Sequence, residues 1–263
     1  MTLSADLDHG RTAYAEHRWS DAISALTRAD QDGGLPPQDL DNLSTAAFVT
    51  GQETVGIDTA TRAHEAFLAD GDFANAARCA GWIGLYLLGM GDGARASGWF
   101  SRAKRVLQAN SEPCSVDGFL LIPAALGALY GGDAASAARL FAEAFAAGQR
   151  FHDSDLIALG QLGQGQAKIA LGELSDGLGL FDEVMVAVTA GEISPIPAGI
   201  IYCAVIGNCH LAFDLRRAQE WTMALDHWCG ARPDMVMFSG RCQAHRAELY
   251  LLHGAWADAL EES

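Results

Sequence analysis

The sequence is short of positive charge. Lys and Arg together number 17 against 33 Asp and Glu, which sets the formal net charge at −16 and the pI near 4.7. Binding to nucleic-acid phosphate needs clustered Lys and Arg to displace counterions, so no DNA or RNA contact is expected from this segment. Long apolar runs are lacking as well. No stretch reaches the ~18 to 20 unbroken apolar residues that cross a bilayer, so no membrane partner is expected. The start, Met1-Thr2-Leu3-Ser4-Ala5-Asp6-Leu7-Asp8, has neither the basic n-region nor the apolar core of a secretory signal, and a cytoplasmic location is the expectation. Six cysteines, Cys79, Cys114, Cys203, Cys209, Cys229 and Cys242, form no C-x-x-C pair, so buried thiols are expected rather than a disulfide framework. What is abundant is small and apolar: half of the residues are hydrophobic, 29 are Gly and only 19% are charged. A chain of that composition buries a core and is not a charge-rich disordered segment.

Those small residues recur in register. Ala96, Phe100 and Ala103 place small, aromatic and small side chains at i, i+4 and i+7, one stripe of a helix. Ala137/Phe141/Ala144, Gly177/Phe181/Val184 and Ala22/Leu26/Ala29 repeat the stripe, with looser copies at Ala60/His64/Phe67 and Ala218/Thr222/Leu225 and a last anchor at Ala259. The anchors 22, 60, 96, 137, 177, 218 and 259 lie 38, 36, 41, 40, 41 and 41 residues apart. A second small residue often stands 12 positions earlier: Gly10, Gly84, Ala125, Gly165 and Ala247. Small residues at that spacing let two helices approach closely, so each unit reads as helix, turn, helix. Gly91-Asp92 and Gly132-Asp133 supply a left-handed Gly and then an Asp that caps the next helix. Pro36-Pro37, Glu112-Pro113-Cys114 and Ser194-Pro195-Ile196-Pro197 fall between hairpins, where helices stop.

This pattern resembles the tetratricopeptide repeat, although its usual period is nearer 34. The expected architecture is all-α: a right-handed superhelix of about seven hairpins with a period near 40, forming one solenoid over residues 1–263 whose last hairpin is incomplete. Particular phrases resemble a narrower family. GWIGLYLLGMGDGARASGWFSRAKRVL (81–107), LGQGQAKIALGELSDGLGLFDEVMVAVTAGEISPIPAGIIYCAVI (162–206), DLRRAQEWTMALDHWC (214–229) and GRCQAHRAELYLLHGAWADALEE (240–262) are similar to the sensor portion of actinobacterial LuxR-type regulators. In that family a tetratricopeptide-like array precedes a C-terminal helix-turn-helix, so the resemblance implies transcription regulation, with this array as the sensing part. No DNA-reading domain is expected within residues 1–263. The expectation is an excised N-terminal fragment or a truncated paralogue kept for binding.

In a tetratricopeptide superhelix the first helix of each hairpin lines the concave groove. The repeat register then offers Trp82, Leu85, Tyr86 and Leu88 from hairpin three, and Phe119, Ile122, Leu126 and Tyr130 from hairpin four. Hairpin five offers Leu162, Gln166 and Ile169, and hairpin six Ile200, Tyr202, Cys203, Gly207, Asn208 and His210. The set is mostly apolar and nearly lacks the Lys, Arg and Asn that clamp a peptide carboxylate. Either the groove is narrow and packed on itself, or it takes an apolar small molecule or a partner helix. In the second case Tyr86, Tyr130, Gln166, Tyr202, Asn208 and His210 would orient the ligand, with Trp82 and Phe119 as flat walls.

Chemistry finds little support. His245 and His253 lie eight apart and Cys203 and Cys209 six apart with His210 adjacent, which gives no recognised four-ligand spacing, so no metal and no cofactor are expected. His245-Arg246-Ala247-Glu248 reads as inter-helix hydrogen bonding with an ion pair. Gly160-Gln161-Leu162-Gly163-Gln164-Gly165 has no strand before it and no Gly-Lys-Ser/Thr after it, so helix packing explains it better than a phosphate loop. No G-x-S-x-G elbow or Cys/His pairing supplies a nucleophile. The reading is therefore a non-catalytic sensor module for an apolar small molecule or a protein or peptide partner, with a homodimer left open. A stand-alone scaffold or ligand-sequestering protein is the alternative.

Overall fold

The computed structural model describes the backbone of residues 3–252 and 254–262 and the side chains of residues 5–252 and 254–261. Every regular element among them is a helix. Hairpin one pairs α1 (Leu3–Ala15) with α2 (Trp19–Gly33), hairpin two α3 (Pro37–Val49) with α4 (Glu53–Ala69), and hairpin three α5 (Phe73–Gly89) with α6 (Gly93–Leu107). In hairpin four the first helix is broken into α7 (Ser115–Phe119) and α8 (Ile122–Tyr130) before α9 (Ala134–Phe151). Hairpin five is α10 (Ser154–Ala170) with α11 (Leu174–Thr189), and hairpin six α12 (Pro195–Leu211) with α13 (Leu215–Gly230). A 3-10 turn at Val236–Phe238 leads into hairpin seven, α14 (Ser239–Leu252) with α15 (Trp256–Glu262). The break between α7 and α8 follows from Pro123, which has no N–H to give to residue 119 and is tolerated only in the first turn of a new helix.

One backbone rule runs through all seven hairpins. The turn between paired helices always holds a residue with positive φ: His17, Gly51, Gly91, Gly132, Gly172, Phe213 and Gly254. Five positions later a buried small residue sits in the first turn of the second helix: Ala22, Gly56, Ala96, Ala137, Gly177, Ala218 and Ala259. This corrects the register of hairpin two, where Gly56 rather than Ala60 is the structural equivalent. Its knob and hole are exchanged between helices. In hairpins one, three and five a Gly of the first helix faces the large side chain of the second: a Cβ on Gly10, Gly84 or Gly165 would come within 2.7, 2.5 or 2.6 Å of Leu26, Phe100 or Phe181. In hairpin two the large ring is Phe48 on the first helix, and it is Gly56 on the second that leaves room, at 2.7 Å. Ser44, 12 residues before Gly56, closes the contact by donating its hydroxyl to the Gly56 carbonyl at 2.9 Å. The second helices of hairpins three and four are capped as expected, Asp92 and Asp133 accepting the N–H groups of Arg95 and Ser136, and in hairpin six Asp214 accepts that of Arg217.

The helices cluster into two compact units, one formed by Met1–Val116 with Asp234–Met237 and one by Asp117–Pro233 with Phe238–Ser263. Within the first, Arg–Asp pairs tie successive hairpins: Arg11 to Asp39, Arg62 to Asp30 and Arg78 to Asp41. Within the second, the glycines of α10 explain themselves as packing points. A Cβ on Gly160 would meet the Phe145 backbone at 2.8 Å, one on Gly163 the Phe141 ring at 2.1 Å, and Gly165 approaches both Phe181 and the Gly177 carbonyl. Arg217 on α13 forks onto Asp182 of α11 and also reaches Asp214. No helix among the described residues is long and apolar enough to cross a membrane.

Candidate functional site

Of the sequence-derived groove residues, Trp82, Leu85, Tyr86 and Leu88 stand on α5 in the first unit, the first three half-buried and Leu88 exposed. The Tyr86 ring packs on Phe48 with centroids 4.5 Å apart. Burial, and a hydrogen bond to Glu53, push its phenol above the usual range. The others belong to the second unit. Phe119, Ile122, Leu162 and Tyr202 are core residues there, each at most 7% exposed, whereas Leu126, Gln166, Cys203, Asn208 and His210 are half-buried. Tyr202 leans on Trp228 at 5.5 Å, and Trp228 leans on Phe238 in turn. Asn208 donates its amide back to the Ala204 carbonyl of its own helix at 2.8 Å. Tyr130 differs from all of these, being 78% exposed at the end of α8.

Its neighbours in register point the same way. Large apolar side chains stand in solvent where first helices end and turn: Leu88 and Met90 in the first unit, and Tyr130, Leu171, Leu211, Phe213, Leu251 and Leu252 in the second. Leu211 and Phe213 are 80% and 85% exposed. Four consecutive hairpins of the second unit thus carry an exposed large apolar residue at equivalent tips. Phe213 does so with a φ of 56°, in a position that five of the other six hairpins give to Gly. Of these tips, sequence reasoning about the groove named Leu88 and Tyr130 alone; the signal for the rest was the large apolar residue one to three places before each left-handed turn, and Phe213 itself.

Two polar clusters complete the second unit. None of the six cysteines is in a disulfide. Cys229 and Cys242 share a hydrogen bond that, with burial, raises the Cys229 thiol, with Cys203 adding to the effect, and burial pushes Cys203 up to about 11. The Cys203 and Cys229 thiols are therefore protonated and poorly nucleophilic at neutral pH. The other cluster joins α12 to α14. His210 Nδ1 lies 3.0 Å from Glu248 Oε2 and His245 Nδ1 lies 3.5 Å from the same oxygen. The two rings meet edge to face at 6.1 Å. Burial holds the His245 imidazole below its ordinary value, so it is neutral at pH 7. Among the described residues this is the one group whose His, Cys or carboxylate atoms converge within 4.8 Å as a candidate cation site. Arg246 meanwhile pairs with Asp226 on α13, the inter-helix ion pair expected of this segment. His253 lies outside the described residues.

No family model matches the chain, and no curated protein sequence matches it. Among solved structures it is similar to the apo form of the quorum sensor NprR from B. thuringiensis, at a TM-score of 0.60 and 14% identity, over 99% of this chain and 74% of that one. The TPR2AB-domain:pHSP90 complex of yeast Sti1 also matches, at a TM-score of 0.34 and 14% identity over 98% of both chains. The first of these likenesses, together with the seven hairpins, makes the fold an all-α array of tetratricopeptide type.

Proposed function

We propose that this chain is a non-catalytic binding module that receives a partner with an apolar face, such as an amphipathic helix, along the ends of its first helices. The recurrence of exposed Tyr130, Leu171, Leu211, Phe213, Leu251 and Leu252 at equivalent hairpin tips carries the reading. Large apolar side chains are costly to leave in water, and repeated exposure within the last turn of successive first helices and the turn that follows is the pattern of an interaction surface rather than of chance. The half-buried candidates Leu126 and Gln166 lie on the same helices as these tips; Gln166 and Tyr130 supply polar orienting groups and Leu126 adds apolar contact. Partner binding would act by population shift, favouring one arrangement of stacked hairpins over another. The phrases at 81–107, 162–206, 214–229 and 240–262 support a finer assignment, the sensory part of a LuxR-type transcription regulator, and the structural similarity to a quorum sensor is in keeping with a sensing role.

The test is thermal melting and tryptophan fluorescence against a panel of amphipathic helical peptides and hydrophobic metabolites. Saturable shifts that disappear in Tyr130→Glu and Leu211→Glu, both at exposed positions that leave the core intact, are expected. No shift with any member, or shifts unchanged in both variants, would sink the proposal. Shifts with metabolites alone would replace the partner helix by a small molecule.

A further inference from the structure

We infer that His210, His245 and Glu248 form a zinc site that fastens α12 to α14. The donor set is the first argument. Two imidazoles and one carboxylate suit Zn²⁺, which takes His and Glu together in three-ligand sites that keep a fourth position for water, whereas Mg²⁺ and Ca²⁺ prefer oxygen alone. The spacing is the second. Ligands at tetrahedral angles around zinc, with bonds of about 2.0–2.1 Å, lie roughly 3.3 Å apart. The Nδ1 atoms of His210 and His245 stand 3.0 and 3.5 Å from Glu248 Oε2, on either side of that edge length.

The third argument is what the rings do not touch. Nε2 of His210 and Nε2 of His245 are both buried and without a hydrogen-bond partner. Each ring therefore has a single polar outlet, its Nδ1, and both outlets meet at one carboxylate oxygen. The two Nδ1 atoms and Oε2 therefore converge on one point, and a cation bound there takes the Nδ1 lone pair of each ring while each neutral imidazole keeps its proton on Nε2. His245 is only 7% exposed while the Glu248 side chain is 55% exposed, so the ion would be gripped from inside and reached from outside, with its open coordination position toward solvent. His245 and Glu248 are one turn apart on α14, and His210 comes from α12 of the preceding hairpin, which accounts for the lack of a compact motif in the sequence.

The experiment uses the full chain freed of metal with a chelator and titrated with zinc chloride by calorimetry. One zinc per chain is expected, with affinity falling at least tenfold in Glu248→Gln and in His210→Ala and unchanged in His227→Ala, an exposed histidine on α13. Glu248→Gln alters only a half-exposed side chain, so it separates lost ligation from lost folding. Cobalt(II) should give the visible bands of a tetrahedral ion in the native chain and not in Glu248→Gln. Absence of a one-to-one event, or equal zinc affinity in the native chain and in both ligand variants, overturns the inference.

Discussion

Gly165 decides whether close helix approach, rather than hydrophobic content alone, holds the hairpins together. Replacing it by Ala in the middle of α10 gains about 0.5–1 kcal/mol of helix stability from backbone entropy. Against this, the new Cβ would sit 2.6 Å from Phe181 Cε1 and 3.0 Å from the Gly177 carbonyl oxygen. Phe181 is 0% exposed, and a backbone carbonyl cannot rotate away, so the helices must part. Overpacking of this kind costs about 1–3 kcal/mol, and the rigid neighbours put Gly165 at the upper end. A net loss of about 2 kcal/mol is expected, or roughly 4–8 °C in Tm for a chain of this size. Gly179, in the partner helix α11, is the internal control. A Cβ there meets nothing within 4 Å, so Gly179→Ala should gain about 0.5–1 kcal/mol from the same entropy term. Urea midpoints at constant m-value and thermal midpoints measure both. If Gly165→Ala is as stable as Gly179→Ala, the close-approach argument fails.

Other predictions follow from single residues. Phe213 holds a φ of 56° at 85% exposure, so Phe213→Gly removes a left-handed strain of about 1–2 kcal/mol at an entropy cost of about 0.5–1 and should raise the melting point while weakening partner binding. Arg78 is the charge partner of Asp41, itself only 16% exposed; Arg78→Ala should cost about 3 kcal/mol, and adding Asp41→Asn should recover most of it in a double-mutant cycle. His64 is buried, with Nδ1 2.7 Å from the Ala76 carbonyl, and burial lowers its pKa below 6.5. The unfolded chain therefore binds more protons than the folded one as pH falls. Stability is full above the unfolded value near 6.5 and declines below it toward the folded value, by at most about 1.4 kcal/mol per pH unit for this group. Urea midpoints from pH 7.5 to 5 should show that acid limb, and it should be shallower in His64→Phe.

The hairpins were legible in the sequence because close packing leaves a trace: a small residue facing a large one at fixed offset. Gly84/Phe100 and Gly165/Phe181 show it directly. Hairpin two hid its register because Phe48 and Gly56 exchange roles between helices, so Ala60/His64/Phe67 imitated the stripe one turn late. Glycine at the left-handed turn was the firmer marker, since backbone sterics rather than packing impose it. The broken first helix of hairpin four could have been read from Pro123. Of the site, the apolar first helices were legible, but not which side chains they keep for themselves: Tyr202 looks like a ligand-orienting group and is 2% exposed. The His210, His245 and Glu248 cluster escaped because solenoid neighbours lie roughly one repeat apart, outside the reach of short-spacing motifs. Asking which ligand-type residues recur about one repeat apart on first helices would have brought them together.

The central claim is that the first helices and their tips, rather than the second helices, receive the partner. Hydrogen exchange of the second unit, with and without the peptide or compound that gives the largest melting shift, tests it most directly. Added protection should concentrate in residues 119–130, 162–171 and 202–213. Protection confined to the second helices, at 134–151, 174–189 and 215–230, would contradict the account.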